Sequence, residues 1–123
     1  MPDPDKKILI VEDNMLLSLV YERHIENLGY QILDKLVDGE KAVEIVRDQE
    51  PDLIIMDIIL EGRIDGIEAM RKIREFSDVP VIYITGNSDK THLDRASETK
   101  FIDYLVKPIT REDLRLSIEK TWE

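Results

Sequence analysis

No cysteine occurs in the 123 residues of this chain, so disulfides and thiol chemistry are excluded and a reducing compartment is the natural setting. Long apolar runs are missing as well. The aliphatic stretches are only a few residues long, far below the ~20 that a membrane helix needs. The segment Met1-Pro2-Asp3-Pro4-Asp5 carries no basic region followed by an apolar one, so no signal peptide is expected there. Basic residues are outnumbered, 17 against 27 acidic ones, for a formal charge of −10. Such a surface repels nucleic acid and anionic membranes, so no direct binding to either is expected. What remains is 42% hydrophobic, enough for one two-sided core. The expectation is a single acidic, soluble, cytoplasmic domain over residues 1–123, with its core at about 6–121.

Short apolar runs alternate with stretches of helical period. Ile8 to Val11 reads as a first strand. Leu17, Val20, Tyr21, His24, Ile25 and Leu28 follow at helical spacing, with Gly29 placed to end that helix. Gln31 to Val37 is a weaker strand leading to the turn Asp38-Gly39. A short helix with Ala42, Val43 and Val46 facing inward then runs to Pro51. Asp52 to Asp57 is nearly all aliphatic, which implies a strand covered on both faces, as in parallel α/β sheets. After a loop from Ile58 to Asp65, Ile67, Met70 and Ile73 mark a third helix, and Pro80 opens a fourth strand. Asn87 to Thr99 reads as a polar helix whose inward residues are Leu93 and Ala96. Phe101 to Val106 is the fifth strand. The last helix is capped by Thr110 with Asp113 as partner and buries Leu114, Ile118 and Trp122. Strict alternation with right-handed crossovers predicts a doubly wound, flavodoxin-like (βα)5 fold, a five-stranded parallel sheet of order 2-1-3-4-5.

That topology gathers chemistry at one edge. The first strand runs into Glu12 and Asp13, the third into Asp57, the fourth into Thr85 and the fifth into Lys107-Pro108. Ligands in open α/β sheets bind at the carboxyl ends of the strands, where the strand order reverses. Clustered carboxylates favour protonation or a hard cation such as Mg²⁺, with a lysine to balance charge on the far side. Positioned charge is most of what phosphoryl transfer asks of a protein, and Asp57 is the central carboxylate. Singly, each residue has an ordinary role. Glu12 and Asp13 suit a helix start, Thr85 is a good strand residue, Tyr104 suits a core, and proline ends strands. Their joint placement at four strand ends favours a site. His24 and His92 stand alone on helices and read as packing residues.

The chain closely resembles the response-regulator receiver domain of two-component signalling along its whole length. The resemblance rests on Ile8-Leu9-Ile10-Val11-Glu12-Asp13-Asn14, Asp38-Gly39-Glu40-Lys41-Ala42, Asp52-Leu53-Ile54-Ile55-Met56-Asp57, Asp65-Gly66-Ile67-Glu68, Pro80-Val81-Ile82-Tyr83-Ile84-Thr85 and Tyr104-Leu105-Val106-Lys107-Pro108. It implies that Asp57 accepts a phosphoryl group from a histidine kinase or phosphotransfer protein. It implies Mg²⁺, or Mn²⁺ in its place, held by Asp13, Asp57 and the Ile59 backbone carbonyl, with Glu12 reaching the metal through water. Lys107 and Thr85 would contact phosphoryl oxygens, Thr85 and Tyr104 would form the switch, and the Lys107-Pro108 bond would be cis. The expected output is a changed partner-binding surface, passed to a further domain or partner protein. Chemistry would be limited to self-catalysed phosphoryl acceptance and autodephosphorylation, without the turnover of an enzyme.

Four departures stand out. Glu61 replaces a proline common in the family, and Gly62-Arg63-Ile64 lengthens the loop after Asp57 by one residue. Gly86 replaces a frequent alanine, and Ile102 replaces the first member of an acidic pair common in DNA-binding regulators. A competing reading is a pseudo-receiver, an interaction module that takes no phosphate; it should lack the acceptor, the acidic pair or the lysine, and all are present. An α/β enzyme is the other class. A haloacid-dehalogenase-type phosphatase would want an aspartate where Ile59 stands. A nucleotide enzyme would want a glycine-rich loop where Glu12-Asp13-Asn14 stands, and a flavodoxin-like carrier would want a Ser/Thr/Gly-rich phosphate loop.

Overall fold

Every strand of this chain is followed by a helix that returns across the sheet, and the helices divide between its two faces. The computed structural model describes residues 3–86 and 90–122. Along the chain come β1 (Lys7–Val11), α1 (Met15–Asn27), β2 (Gln31–Leu36), α2 (Gly39–Gln49) and β3 (Leu53–Asp57). They are followed by α3 (Gly66–Ile73), β4 (Val81–Thr85), α4 (Lys90–Ser97), β5 (Asp103–Val106) and α5 (Arg111–Thr121). The strands form one parallel sheet in the order β2-β1-β3-β4-β5. This is the order expected from the sequence.

Strand alternation splits the core. Ile8, Ile10, Leu53, Ile55, Ile82 and Ile84 meet Tyr21 and Ile25 of α1 and Leu114 and Ile118 of α5. Leu9, Val11, Ile54, Met56, Val81 and Tyr83 point the other way, onto residues of α2, α3 and Ala96 of α4. Burial on both faces explains why β3 is buried at all five positions.

Helix ends follow local chemistry. Asn14 caps α1, accepting from the N–H groups of Leu16 (3.0 Å) and Leu17 (3.1 Å). Glu12 and Asp13 are therefore not the caps of that helix. Asp38 caps α2, and capping boxes open α3 with Asp65 and Glu68 and α5 with Thr110 and Asp113. Gly29, at φ 102°, lies just past the end of α1.

Some boundaries and faces differ from expectation. β2 ends at Leu36, leaving Val37 exposed, and β5 begins at Asp103 rather than Phe101. Phe101 instead sets its ring against Tyr83, with centroids 5.9 Å apart. β3 begins at Leu53, while the Asp52 carboxylate accepts the Lys7 N–H at 2.8 Å. Val20 is 37% exposed, because the inner stripe of α1 is Ser18, Tyr21 and Ile25. Leu93 is 39% exposed and only Ala96 of the two expected residues is buried, so α4 rests on a small side chain. The expected start of that helix at Asn87 lies outside the described residues. Trp122 is half-buried, against Tyr30 at 5.6 Å with Lys6 over its ring. Among the described residues no helix is long and apolar enough to cross a membrane.

Candidate functional site at the carboxyl edge of the sheet

β1 and β3 are neighbours, with Val11 opposite Met56, so the residues that follow emerge side by side. Glu12, Asp13 and Asp57 can each offer a carboxylate oxygen within 4.8 Å of the others. Asp57 is 4% exposed and Glu12 1%, with Asp13 less buried at the rim. Lys107 reaches in from the end of β5. Its Nζ stands 3.0 Å from Asp57 Oδ2 and 3.0 Å from Glu12 Oε1. Asp57 Oδ1 accepts the Ile59 N–H at 3.3 Å, so each acceptor oxygen has one neighbour that orients it. Glu12 Oε2 accepts the Asn14 N–H at 3.0 Å. The Lys107-Pro108 peptide is cis.

Charge at this edge is unbalanced. Burial, followed by the neighbouring Asp57, pushes the Glu12 pKa above the usual carboxylate range. Burial and then Glu12 do the same to Asp13. Burial alone would lower the Lys107 pKa, but Glu12 and Asp57 outweigh it and the net shift is upward. Among the described residues, one ammonium thus faces three carboxylates. The donor set is all oxygen, hard and close together, and it fits a small divalent cation that needs one or two carboxylates and keeps other positions for water and phosphate.

Thr85 is fully buried at the end of β4, opposite Val106, and its carbonyl accepts the Lys107 N–H at 2.7 Å. Strand parity puts Thr85 on the same face as Tyr83, and Tyr104 is the register partner of Tyr83. Tyr104 is half-buried, with its ring 6.0 Å from that of Phe101. A Cβ at Gly86 would meet no atom within 4 Å, so this departure from alanine leaves open space beside the site.

Gly66, within the segment Asp65-Gly66-Ile67-Glu68, also takes part in the site. A Cβ there would lie 2.1 Å from the Asp57 carbonyl oxygen and 2.8 Å from the Met56 side chain. Only a bare backbone allows α3 to start this close to the acceptor strand. The Gly66 N–H also donates to the Ile58 carbonyl at 2.8 Å and closes the base of the β3–α3 loop. The pattern Asp65-Gly66 at a helix start was the available signal.

A parallel, doubly wound sheet with an acidic pair, a central aspartate and a lysine on its carboxyl edge defines a class of protein. The family model for the response regulator receiver domain matches residues 8–119, and the chain belongs to that family. A transcriptional regulatory protein of Mycobacterium tuberculosis, PdtaR, is 34% identical over 93% of this chain and 55% of its own length. The chain spans about half the length of the curated relatives it matches. Among solved structures, the signal receiver domain of a modulated diguanylate cyclase from Desulfovibrio desulfuricans G20 is 35% identical, with a TM-score of 0.87 over 94% of this chain and 91% of that one. The receiver domain of a Pseudomonas aeruginosa PAO1 sensor histidine kinase is 33% identical, with a TM-score of 0.84 over 96% of this chain and 98% of that one. That structure has a magnesium ion coordinated in its active-site cleft.

Proposed function

We propose that this chain is a phosphorylation-dependent receiver that takes a phosphoryl group from a phosphohistidine onto Asp57 in the cytoplasm. The observation carrying the reading is the juxtaposition of Asp57 with Glu12, Asp13 and Lys107 on one edge. An Asp57 oxygen attacks phosphorus, a P–O bond forms, and the P–N bond to the donor imidazole breaks. The donor is a sensor histidine kinase or a phosphotransfer protein. Asp13, Asp57 and the Ile59 carbonyl are the groups to hold Mg²⁺ (or Mn²⁺), and Glu12 acts through water. When bound, the cation supplies the charge that lets an anionic acceptor approach an anionic donor. Lys107 then follows a phosphoryl oxygen away from its carboxylate partners, and Thr85 supplies a hydroxyl to another. Water later attacks the phosphorus of the acyl phosphate in a slow self-catalysed step; the bond from phosphorus to the Asp57 oxygen breaks, inorganic phosphate leaves, and the carboxylate is restored.

The switch follows from the shared face of Thr85 and Tyr104. Movement of Thr85 toward the phosphoryl group frees space for deeper burial of the Tyr104 ring, which changes the surface of α4, β5 and α5. That surface is the output, read by a further domain or a partner protein.

Mass spectrometry after treatment with acetyl phosphate tests the acceptor. Modification should occur at Asp57 alone and require Mg²⁺ or Mn²⁺; wild-type levels of phosphorylation in Asp57→Asn would sink the assignment, as would a wild type that takes no phosphate. The coupling has its own test. Thr85→Ala should still bind beryllofluoride yet shift the amides of residues 90–105 less than wild type does, and equal shifts would remove Thr85 from the switch.

A further inference from the structure

We infer that Glu40, at the start of α2, is a positioning residue for the metal-binding loop. The inference rests on the proposed role of the Ile59 carbonyl. That carbonyl lies in the β3–α3 loop, which is one residue longer than the family's common form and lacks its proline. Proline would limit the loop's freedom through a fixed φ. Something else must hold the longer loop.

The contacts name the substitute. Glu40 Oε1 accepts the Arg63 N–H at 3.0 Å, which ties the added stretch of loop to α2. Gly62 makes this approach possible. Its φ is +107°, and a Cβ there would lie 3.2 Å from Glu40 Oε2 and 3.5 Å from Asp38 Cβ. Ile64 continues the seam, its Cγ1 only 3.0 Å from where a Cβ on Gly39 would stand. Below, the Gly66 N–H to Ile58 carbonyl bond closes the loop. Ile59 thus lies between Asp57, which accepts its N–H, and a loop arm pinned to another helix. Each pin removes backbone freedom that would otherwise be lost when a ligand binds. An acidic side chain in the first turn of α2 also suits the helix dipole, so Glu40 serves both ends of the contact.

Calorimetric titration with Mg²⁺ alone, alongside amide exchange at Arg63 and thermal melting, tests the inference. Glu40→Ala should weaken Mg²⁺ binding roughly tenfold, as expected for one lost charge-assisted hydrogen bond, and should speed Arg63 exchange. Glu40→Gln keeps an acceptor oxygen without the charge and should recover most of the affinity. Gly62→Ala leaves the carboxylate intact but strains the approach, and should weaken binding as Glu40→Ala does. Wild-type affinity in Glu40→Ala would overturn the inference while leaving the receiver reading intact. Equal weakening in Glu40→Gln and Glu40→Ala would overturn it too, since long-range charge would then be the cause. A wild type that binds no Mg²⁺ would remove both the inference and the reading beneath it.

Discussion

The two edges of the sheet handle charge in opposite ways. At the amino edge, the Arg74 guanidinium donates to the carbonyls of Thr99 (2.7 Å), Val79 (2.7 Å), Ser77 (3.3 Å) and Lys100 (3.4 Å). The Tyr83 hydroxyl lies 2.6 Å from that of Thr99, which in turn donates to Ala96. A half-buried cation there is shared among four fixed backbone dipoles. At the carboxyl edge, three carboxylates crowd around one ammonium among the described residues; Glu12 is held above its usual pKa by burial and Asp57, and Asp13 by burial and Glu12. One edge holds the fold, and the other carries an excess of negative charge that suits a divalent cation. A matched cation and an unbalanced acidic cluster are separated by the length of a strand.

If that contrast is right, disturbing the amino edge should cost stability, while relieving the carboxyl edge should add to it. The largest effect should come from Arg74→Ala, which strands several carbonyls at once. We expect a loss of about 2–3 kcal/mol in denaturant titrations, with α4 and the start of β5 losing exchange protection first. A loss below ~0.5 kcal/mol would break the comparison.

Asp13→Asn should act in the reverse sense. Removing one of three like charges should stabilise the metal-free protein by about 1 kcal/mol and weaken Mg²⁺ binding. A destabilised metal-free variant would mean that the carboxylates are better satisfied than their spacing implies.

The smallest effect concerns a third arrangement, in which an acid is fully matched. Asp103 Oδ2 accepts from the Ser117 hydroxyl at 2.6 Å and from Lys120 Nζ at 3.0 Å. Burial alone would raise its pKa, but Ser117 and Lys120 outweigh it and hold the group below the usual 3.8. The folded state therefore binds this proton more weakly than the unfolded chain. The resulting stability is present above the unfolded value and is lost as the pH falls through the folded one. Asp103→Asn should cost about 0.5–1 kcal/mol at neutral pH and progressively less under acid conditions. A pH-independent cost would point to packing alone.

Legibility varied with the kind of signal. The aliphatic runs of β1, β3 and β4 announced buried parallel strands because both their faces are covered, so no polar alternation intervenes. The candidate site was legible for a related reason: Glu12 and Asp13 follow β1, Asp57 and Thr85 end β3 and β4, Lys107 follows the half-buried β5, and parallel strands deliver their ends to one edge. Helix faces were harder to read. Val20 and Leu93 are apolar at helical spacing, yet both are exposed, because α1 turns Ser18 inward and α4 approaches through Ala96. Apolar spacing limits which face can be buried, but neighbouring helices decide how far that face is rotated.

Residue identity and order along the chain were enough to determine the strand–helix alternation, the strand order, the capping of α5 by Thr110 and Asp113, and the set of charges brought to the carboxyl edge. These depend on local preferences and on the general handedness of crossover connections. Tertiary structure alone decided that Arg74 locks the end of α4 against β4, that Gly66 must be bare beneath Asp57, and that Glu40 reaches across to Arg63. Each of these joins residues distant in the sequence, Arg74 to Thr99, Gly66 to Asp57 and Glu40 to Arg63, through backbone groups. A backbone carbonyl or N–H carries no side-chain identity, so nothing in the order of residues marks it as a partner until folding brings the two together.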